Sequence, residues 1–331
     1  MTERNVSAGA IATPAGAVSP ATPANPPASA SAVSPTVSPA ATPAASPAAP
    51  AAPAAPTPTP ASPATPTPAI EFRNLAFSYG REPFIENLSA SFRAGAITSI
   101  VGPNGCGKST LVKLMDGLHK PSAGEVLIDG IPIHKMNPRE RAKRLAVLAQ
   151  AGRVPSMTVE ALVACGRHPY QGLQTRLSPE DREQVEQALQ LAGIERFRHH
   201  NVRLLSGGER QRAFIAMTLA QDTSIIVLDE PTTFLDIHAC HETMQLVRSL
   251  NARMRKTFIM VIHDLDLALR YSDAIIVMER GSLSHAGSIP EVLASGSLER
   301  TFHIRVCPVN ITSETENNGD KNGTAYVLIP H

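Results

Sequence analysis

Nothing in this sequence of 331 residues approaches the run of about 18 apolar side chains that a helix needs to cross a bilayer. If the protein serves a membrane process, another chain does the crossing. Cysteine is scarce as well. Cys106, Cys165, Cys240 and Cys307 stand far apart, with no CxxC pair and no Cys/His cluster, and read as free thiols in a reducing compartment. Neither sign of charge prevails: 30 basic against 29 acidic residues leave +1, and no long basic run marks a nucleic-acid partner. The opening Met1-Thr2-Glu3-Arg4 is not followed by a continuous apolar core, so no secretory signal is expected.

What is present divides unevenly. The first 69 residues are almost wholly Ala, Pro, Ser, Thr and Val, and 17 of the 29 prolines precede Ala69. Such a composition has too little apolar bulk for a core, and a disordered, partly polyproline II extension over 1–69 is expected. The remaining 262 residues suffice for one large α/β domain or a two-lobed one.

The most informative stretch is Ala96 to Thr110, AITSIVGPNGCGKST. A short β-branched run (Ile97, Thr98, Ile100, Val101) reads as a buried strand ended by Gly102, and an apolar helix follows (Leu111, Leu114, Met115, Leu118). Between them Gly102, Pro103, Asn104, Gly105, Cys106, Gly107, Lys108, Ser109 and Thr110 match the phosphate-binding loop pattern. Glycines let backbone N–H groups close around phosphate oxygens, the helix start adds positive potential, Lys108 adds a full charge, and Ser109 offers a hydroxyl to Mg²⁺.

Upstream, Ile70–Tyr79 alternates as a strand, with Leu88–Phe92 as its neighbour; Tyr79 either packs or lies flat on a nucleobase. Asp129-Gly130, between apolar residues of 124–133, signals a hairpin with a type I′ turn. A basic helix (Arg139, Arg141, Lys143, Arg144) leads into an apolar strand (Leu145, Val147, Leu148) that ends at Gln150, within reach of a metal or water at the sheet edge. From Pro155 to Asn201 helical signals take over. Ser178-Pro179-Glu180-Asp181 starts a helix that Gly193 stops, and Gly166–Gly172 is expected as a surface turn with His168 exposed.

Leu205-Ser206-Gly207-Gly208-Glu209 precedes a helix expected over Arg210–Ala220, and its capped, glycine-bearing start makes a second anion-binding surface. The apolar strand Ser224–Leu228 then delivers Asp229 and Glu230. Adjacent residues on a strand face opposite ways, so Asp229 can serve a Mg²⁺ shell while Glu230 polarises water. Thr257–Ile262 delivers His263 in the same way, where an imidazole can bond a terminal phosphate. Further on come a helix Asp264–Tyr271, strands about the Arg280-Gly281 turn, a capping box at Ser288–Glu291, a polar stretch 313–324 and a last strand Tyr326–Ile329.

Taken together, Tyr79, GPNGCGKST, Gln150, LSGGE, IIVLDE, the loop Thr233-Phe234-Leu235-Asp236 and His263, in that order, resemble the ATP-binding subunits of ABC transporters from about Ile70 onward. The resemblance implies an α/β P-loop NTPase of ABC type with a RecA-like core, an N-terminal antiparallel β subdomain and an inserted α-helical subdomain (about 155–222). The ATP-binding domain would span 70–312, followed by a tail, 313–331. It also implies ATP and Mg²⁺ as ligands, Tyr79 under the adenine, Gln150 as a sensor of Mg²⁺ and of the membrane subunit, and His263 as a switch. Leu205, Ser206, Gly207, Gly208 and Glu209 would act on ATP held by a second copy, with Asp236 at the same interface.

GRHPYQGL, LAQDT and EPTTFLDI resemble the ferric-siderophore, haem and cobalamin branch of importers, and most of all siderophore-import ATPases. A homodimer on permease subunits at the cytoplasmic face of the membrane, served indirectly by a substrate-binding protein, is what that branch implies. A haem or cobalamin importer, a soluble non-transport ABC ATPase and a non-catalytic nucleotide-dependent module are the competing readings. Cys106 departs from the pattern, where Ser is more usual, and suggests an oxidation-sensitive loop.

Overall fold

The computed structural model describes residues 67–150, 154–172, 176–311 and 323–330. The Pro/Ala-rich extension up to residue 66 and most of the polar stretch 313–324 lie outside the described residues.

The chain begins with β1 (Ile70–Tyr79) and β2 (Glu82–Phe92), crosses to β3 (Ile97–Val101) and enters α1 (Lys108–Met115). It returns through β4 (Ala123–Ile128) and β5 (Ile131–Pro132), then α2 (Pro138–Ala142) and β6 (Leu145–Leu148). Three helices follow, α3 (Val159–Cys165), α4 (Pro179–Leu191) and α5 (Gly207–Ala220). The second half alternates: β7 (Ile225–Asp229), α6 (Ile237–Met254), β8 (Thr257–Val261), α7 (Leu265–Tyr271), β9 (Ala274–Glu279) and β10 (Ser282–Ser288). It closes with α8 (Ile289–Ser295), α9 (Ser297–Phe302), β11 (Ile304–Ile311) and β12 (Gly323–Pro330).

Three sheets result, ordered β2-β1-β4-β5, β10-β9-β3-β8-β7-β6 and β11-β12. The first is antiparallel, and Asp129 and Gly130 between β4 and β5 take φ of 50° and 76°, the two left-handed residues a type I′ turn requires. In the second, β9, β3, β8, β7 and β6 run parallel. Every residue of β3, β7 and β8 is buried, because both faces of this sheet are covered and an uninterrupted apolar run suits that place. Strand alternation sorts the side chains. Ile225, Val227, Ile259 and Val261 pack with α1 and the first sheet, while Ile226, Leu228, Phe258 and Met260 pack with helices from α3 to α9.

Helix starts follow their capping residues. Ser178, with Pro179 in the first turn and Asp181 closing a capping box, starts α4, and the Ser288–Glu291 box starts α8. Several expectations need correction. Helix α5 begins at Gly207 rather than Arg210, because the Ser206–Glu209 capping box draws both glycines into its first turn. Strand β2 starts at Glu82, well before Leu88, and β6 ends two residues short of Gln150. Helix α1 ends at Met115, so Leu118 lies past it and is exposed instead of continuing its apolar face. Ala69 is already buried and its N–H donates to Phe92 O at 2.8 Å, so ordered pairing precedes Ile70. The Gly166–Gly172 turn is only partly at the surface. His168 is exposed, but a Cβ on Gly166 would lie 2.2 Å from Met217 O, and Arg167 is buried. The six-residue α9 escaped the sequence reading, being too short to show a period.

Candidate functional site

The parallel strands bring the candidate residues to one edge of the sheet. After β3 the loop Gly102–Gly107 turns with φ of 78° at Gly105 and 111° at Gly107, conformations that favour glycine. A Cβ on Gly102 would lie 2.4 Å from Met278 O of β9, so the lack of a side chain there lets the loop backbone approach its neighbour this closely. From outside, Gly281 N–H donates to Cys106 O at 2.9 Å. Lys108 is buried at the start of α1, and its ammonium donates to Gly102 O at 2.7 Å and Pro103 O at 3.0 Å, which holds its charge against the first carbonyls of the loop. Pro103, Asn104 and Gly105 are exposed and Ser109 is half-buried. Thr110 is buried and shares a 3.0 Å hydrogen bond with the Tyr79 hydroxyl, while Tyr79 itself is 50% exposed.

Cys106 is only 3% exposed. Burial pushes its thiol up, against the lowering effect of Lys108. Since the thiolate is the reactive form, this placement argues against an oxidation-sensitive loop.

Strand β7 ends at Asp229, and Glu230 follows with a φ of 54°, its N–H donating to Val261 O of β8 at 3.1 Å. The Glu230 carboxylate is the hub of the site. Gln150 Nε2 donates to Oε2 at 2.7 Å, the Thr233 hydroxyl donates to the same oxygen at 3.0 Å, and His263 Nε2 lies 2.5 Å from Oε1. Burial works to raise this carboxyl, but the His263 and Thr233 hydrogen bonds outweigh it and hold it below its ordinary value. Glu230 is therefore ionised at neutral pH. Asp229 behaves in the opposite way: burial and then the Glu230 charge raise it, with His263, Lys108 and Lys113 pulling back.

Asp229 Oδ1 is buried and meets no hydrogen-bond partner among the described residues. An unpaired buried carboxylate oxygen costs about 1–3 kcal/mol or more, so it fits a place where a cation supplies the missing partner. Among the described residues no cluster of three His, Cys, Asp or Glu side chains is arranged as a self-sufficient metal cage. A hard cation with few protein ligands, completed by water and phosphate oxygens, is what an Asp and a Ser at a phosphate loop suit.

The LSGGE residues form a separate site. Ser206 caps α5: its hydroxyl donates to Glu209 Oε2 at 2.8 Å and accepts from Glu209 N–H at 3.4 Å. Asp236 caps α6, accepting Ala239 N–H at 2.8 Å. The two helix starts touch closely, since a Cβ on Gly207 would lie 3.1 Å from Leu235 Cδ2 and one on Gly208 3.2 Å from Ala239 Cβ. They line a cleft of about 510 Å³ together with Gly193, Arg196 and Arg212. Leu205 is buried behind them, and Phe234 and Ile237 stand 89% and 80% exposed beside them. The hydrogen bonds of Ser206 and Asp236 stay within their own helix starts, whereas Gln150, Glu230, Thr233 and His263 form one connected set.

The sequence places Thr233 in the loop that leads to Asp236 but does not foretell its bond to Glu230, although a hydroxyl three residues after the carboxylate is a visible signal. A buried ion pair escaped the sequence reading, Arg167 Nε to Asp181 Oδ1 at 2.8 Å, in which Arg167 also donates to Ala220 O at 2.8 Å and lies 3.9 Å from the Tyr170 ring centre.

The ABC transporter family pattern matches residues 85–233. The petrobactin import ATP-binding protein FpuC of Bacillus anthracis is 42% identical over 238 residues, 72% of this chain and 88% of that protein. The ferric enterobactin transport ATP-binding protein FepC of Escherichia coli is also 42% identical, over 70% of this chain and 86% of its own length. Among solved structures, the dimeric ATP-binding cassette MJ0796 bound to ADP and Pi superposes with a TM-score of 0.57 at 30% identity, covering 66% of this chain and 98% of that one.

Proposed function

The chain belongs to the ATP-binding subunits of ABC transporters, and from that premise we propose that it powers import of an iron(III)–siderophore complex as a homodimer docked on membrane permease subunits. The siderophore assignment is supported by relatives at 42% identity whose names specify petrobactin and ferric enterobactin. No helix among the described residues is long and apolar enough to span a bilayer, which suits a peripheral subunit at the cytoplasmic face.

The observation that carries the mechanism is the hydrogen-bonded Glu230 beside the phosphate loop. The triphosphate of ATP lies along Gly102–Thr110, with Lys108 against its terminal phosphates and Tyr79 under the adenine. Mg²⁺ bound by Ser109 and Asp229 would neutralise charge on the β- and γ-phosphates. Glu230 accepts the proton of an attacking water, the bond from the γ-phosphorus to the bridging oxygen breaks, and ADP leaves with that electron pair. His263 holds the Glu230 carboxylate in place, and Gln150 carries its state to the edge of the sheet. The Ser206 helix start of a second copy closes over the same triphosphate, with Asp236 beside it. The exposed Phe234 and Ile237 give that face apolar area to bury.

Glu230→Gln keeps the shape and removes the proton acceptor. ATP binding should persist, hydrolysis should fall by about 10²–10⁴-fold, and ATP should hold a dimer visible by light scattering. Wild-type turnover in this variant would overturn the assignment. Cargo is tested separately: deletion should abolish ferric-siderophore uptake and spare haem and cobalamin uptake, with the reverse pattern transferring the protein to another cargo. Co-purification with a polytopic membrane protein separates transport from a soluble role.

A further inference from the structure

His119 has no part in the site as described, yet its ring is built into it. Helix α1, which starts in the phosphate loop at Lys108, is closed by Gly117 at φ 67°, with Gly117 N–H donating to Leu114 O at 3.2 Å and His119 N–H to Lys113 O at 3.1 Å. That closure turns Leu118 outward, 70% exposed, and sends His119 inward. The imidazole stacks on Phe77 with centroids 5.0 Å apart and planes 17° from parallel, and meets Tyr79 edge-on at 5.7 Å and 88°. Phe77 and Phe84 also meet the Tyr79 ring edge-on, at 4.8 Å and 5.4 Å.

Of the two ring nitrogens, Nε2 is buried and has no hydrogen-bond partner among the described residues. What the side chain contributes is a flat ring in a fixed place. Tyr79 is thus held at its hydroxyl by Thr110, in the first turn of α1, and at its ring by His119, just past the last turn. One rigid helix, about 12 Å long for its eight residues, sets both the phosphate loop and the support of the aromatic platform.

We propose that His119 is a positioning residue for the nucleobase: it holds the half-exposed Tyr79 ring at the height and tilt at which a base stacks, and ties that platform to the phosphate loop through α1. This rests on the reading of Tyr79 as the base-stacking residue. Its signature is selective, because a loosened platform weakens contact with the base and leaves contact with the phosphates intact.

The test measures binding of ATP and of inorganic triphosphate, each with Mg²⁺, to the full-length protein and to three variants. His119→Ala should weaken ATP by roughly 2- to 10-fold, the range that an aromatic pair supports, and leave triphosphate unchanged. His119→Phe, which keeps the ring and drops the unpaired nitrogen, should restore ATP binding. Tyr79→Ala checks the underlying reading by lowering the ratio of ATP to triphosphate affinity. An unchanged ratio in Tyr79→Ala removes that reading and this inference with it. A lowered ratio there with an unchanged one in His119→Ala removes the inference alone. Equal loss of both ligands in His119→Ala, or no rescue by the phenyl ring, reduces His119 to a packing residue and overturns the proposal.

Discussion

Replacing Arg167 by Met should destabilise the helical part of the protein far more than an average substitution. The side chains of Arg167 and Asp181 are only 7% and 10% exposed, and the guanidinium joins three elements: the end of α3, the start of α4 through Asp181, and the end of α5 through Ala220 O. Methionine fills much of the same volume but leaves the Asp181 carboxylate buried without its cation. Breaking one side of a buried pair costs about 3–5 kcal/mol, and the freed Ala220 carbonyl adds about 1 kcal/mol or more. Arg167→Met, Asp181→Asn and the double variant would be unfolded in urea, with stability taken from the midpoint and slope. The double variant should lose less than the two single losses combined, because once the cation is gone the anion is better absent.

The pH dependence has a definite sign. Burial works to raise the Asp181 carboxyl, and the Arg167 and Ser178 hydrogen bonds overcome it, leaving the folded value below the ordinary one. The pair's contribution is therefore complete above the unfolded carboxyl pKa of about 3.9 and is lost as pH falls through the depressed folded value. The gap between wild type and Asp181→Asn should be constant near neutrality and close only in acid. A loss below about 1 kcal/mol in Arg167→Met, the range of a surface pair, would refute the reasoning.

Two other substitutions test how the phosphate loop is held. A Cβ on Gly281 would lie 1.7 Å from Phe84 O, at a residue with φ of 77° whose N–H bonds Cys106 O, so Gly281→Ala should lower stability by about 2 kcal/mol or more and weaken ATP binding. Unchanged nucleotide affinity in titration calorimetry would show that the turn does not hold the loop. Cys106→Ser should leave the rate of inactivation by peroxide unchanged, since the buried thiol is kept protonated; a markedly slower rate in the variant would mean that Cys106 is attacked.

Sequence was a good guide wherever chemistry and local backbone coincide. The loop Gly102–Thr110 announces itself because glycine spacing, lysine and the following helix all serve one ligand. Ser178, Ser206 and Ser288 mark helix starts because capping is a four-residue affair. What escaped depends on distant partners. Arg167 looks like an ordinary surface cation until α4 and α5 enclose it, and His119 looks like a loop residue until β1 brings Phe77 and Tyr79 against it. Helix α5 was read three residues short because two glycines argue against helix locally, while their contacts with Leu235 and Ala239 are made across the fold.

The place of β6 in the central sheet has a mechanical side. Among the described residues it is an edge strand and pairs only with β7, so it is held in the sheet by a ladder on one flank, whereas β3 and β8, which lead to Lys108 and His263, are paired on both. Gln150 sits just past its end, and its side-chain amide donates a hydrogen bond of 2.7 Å to Glu230. Any displacement of that strand end would therefore reach the carboxylate through the breaking or making of one contact, a latch rather than a gradual deformation.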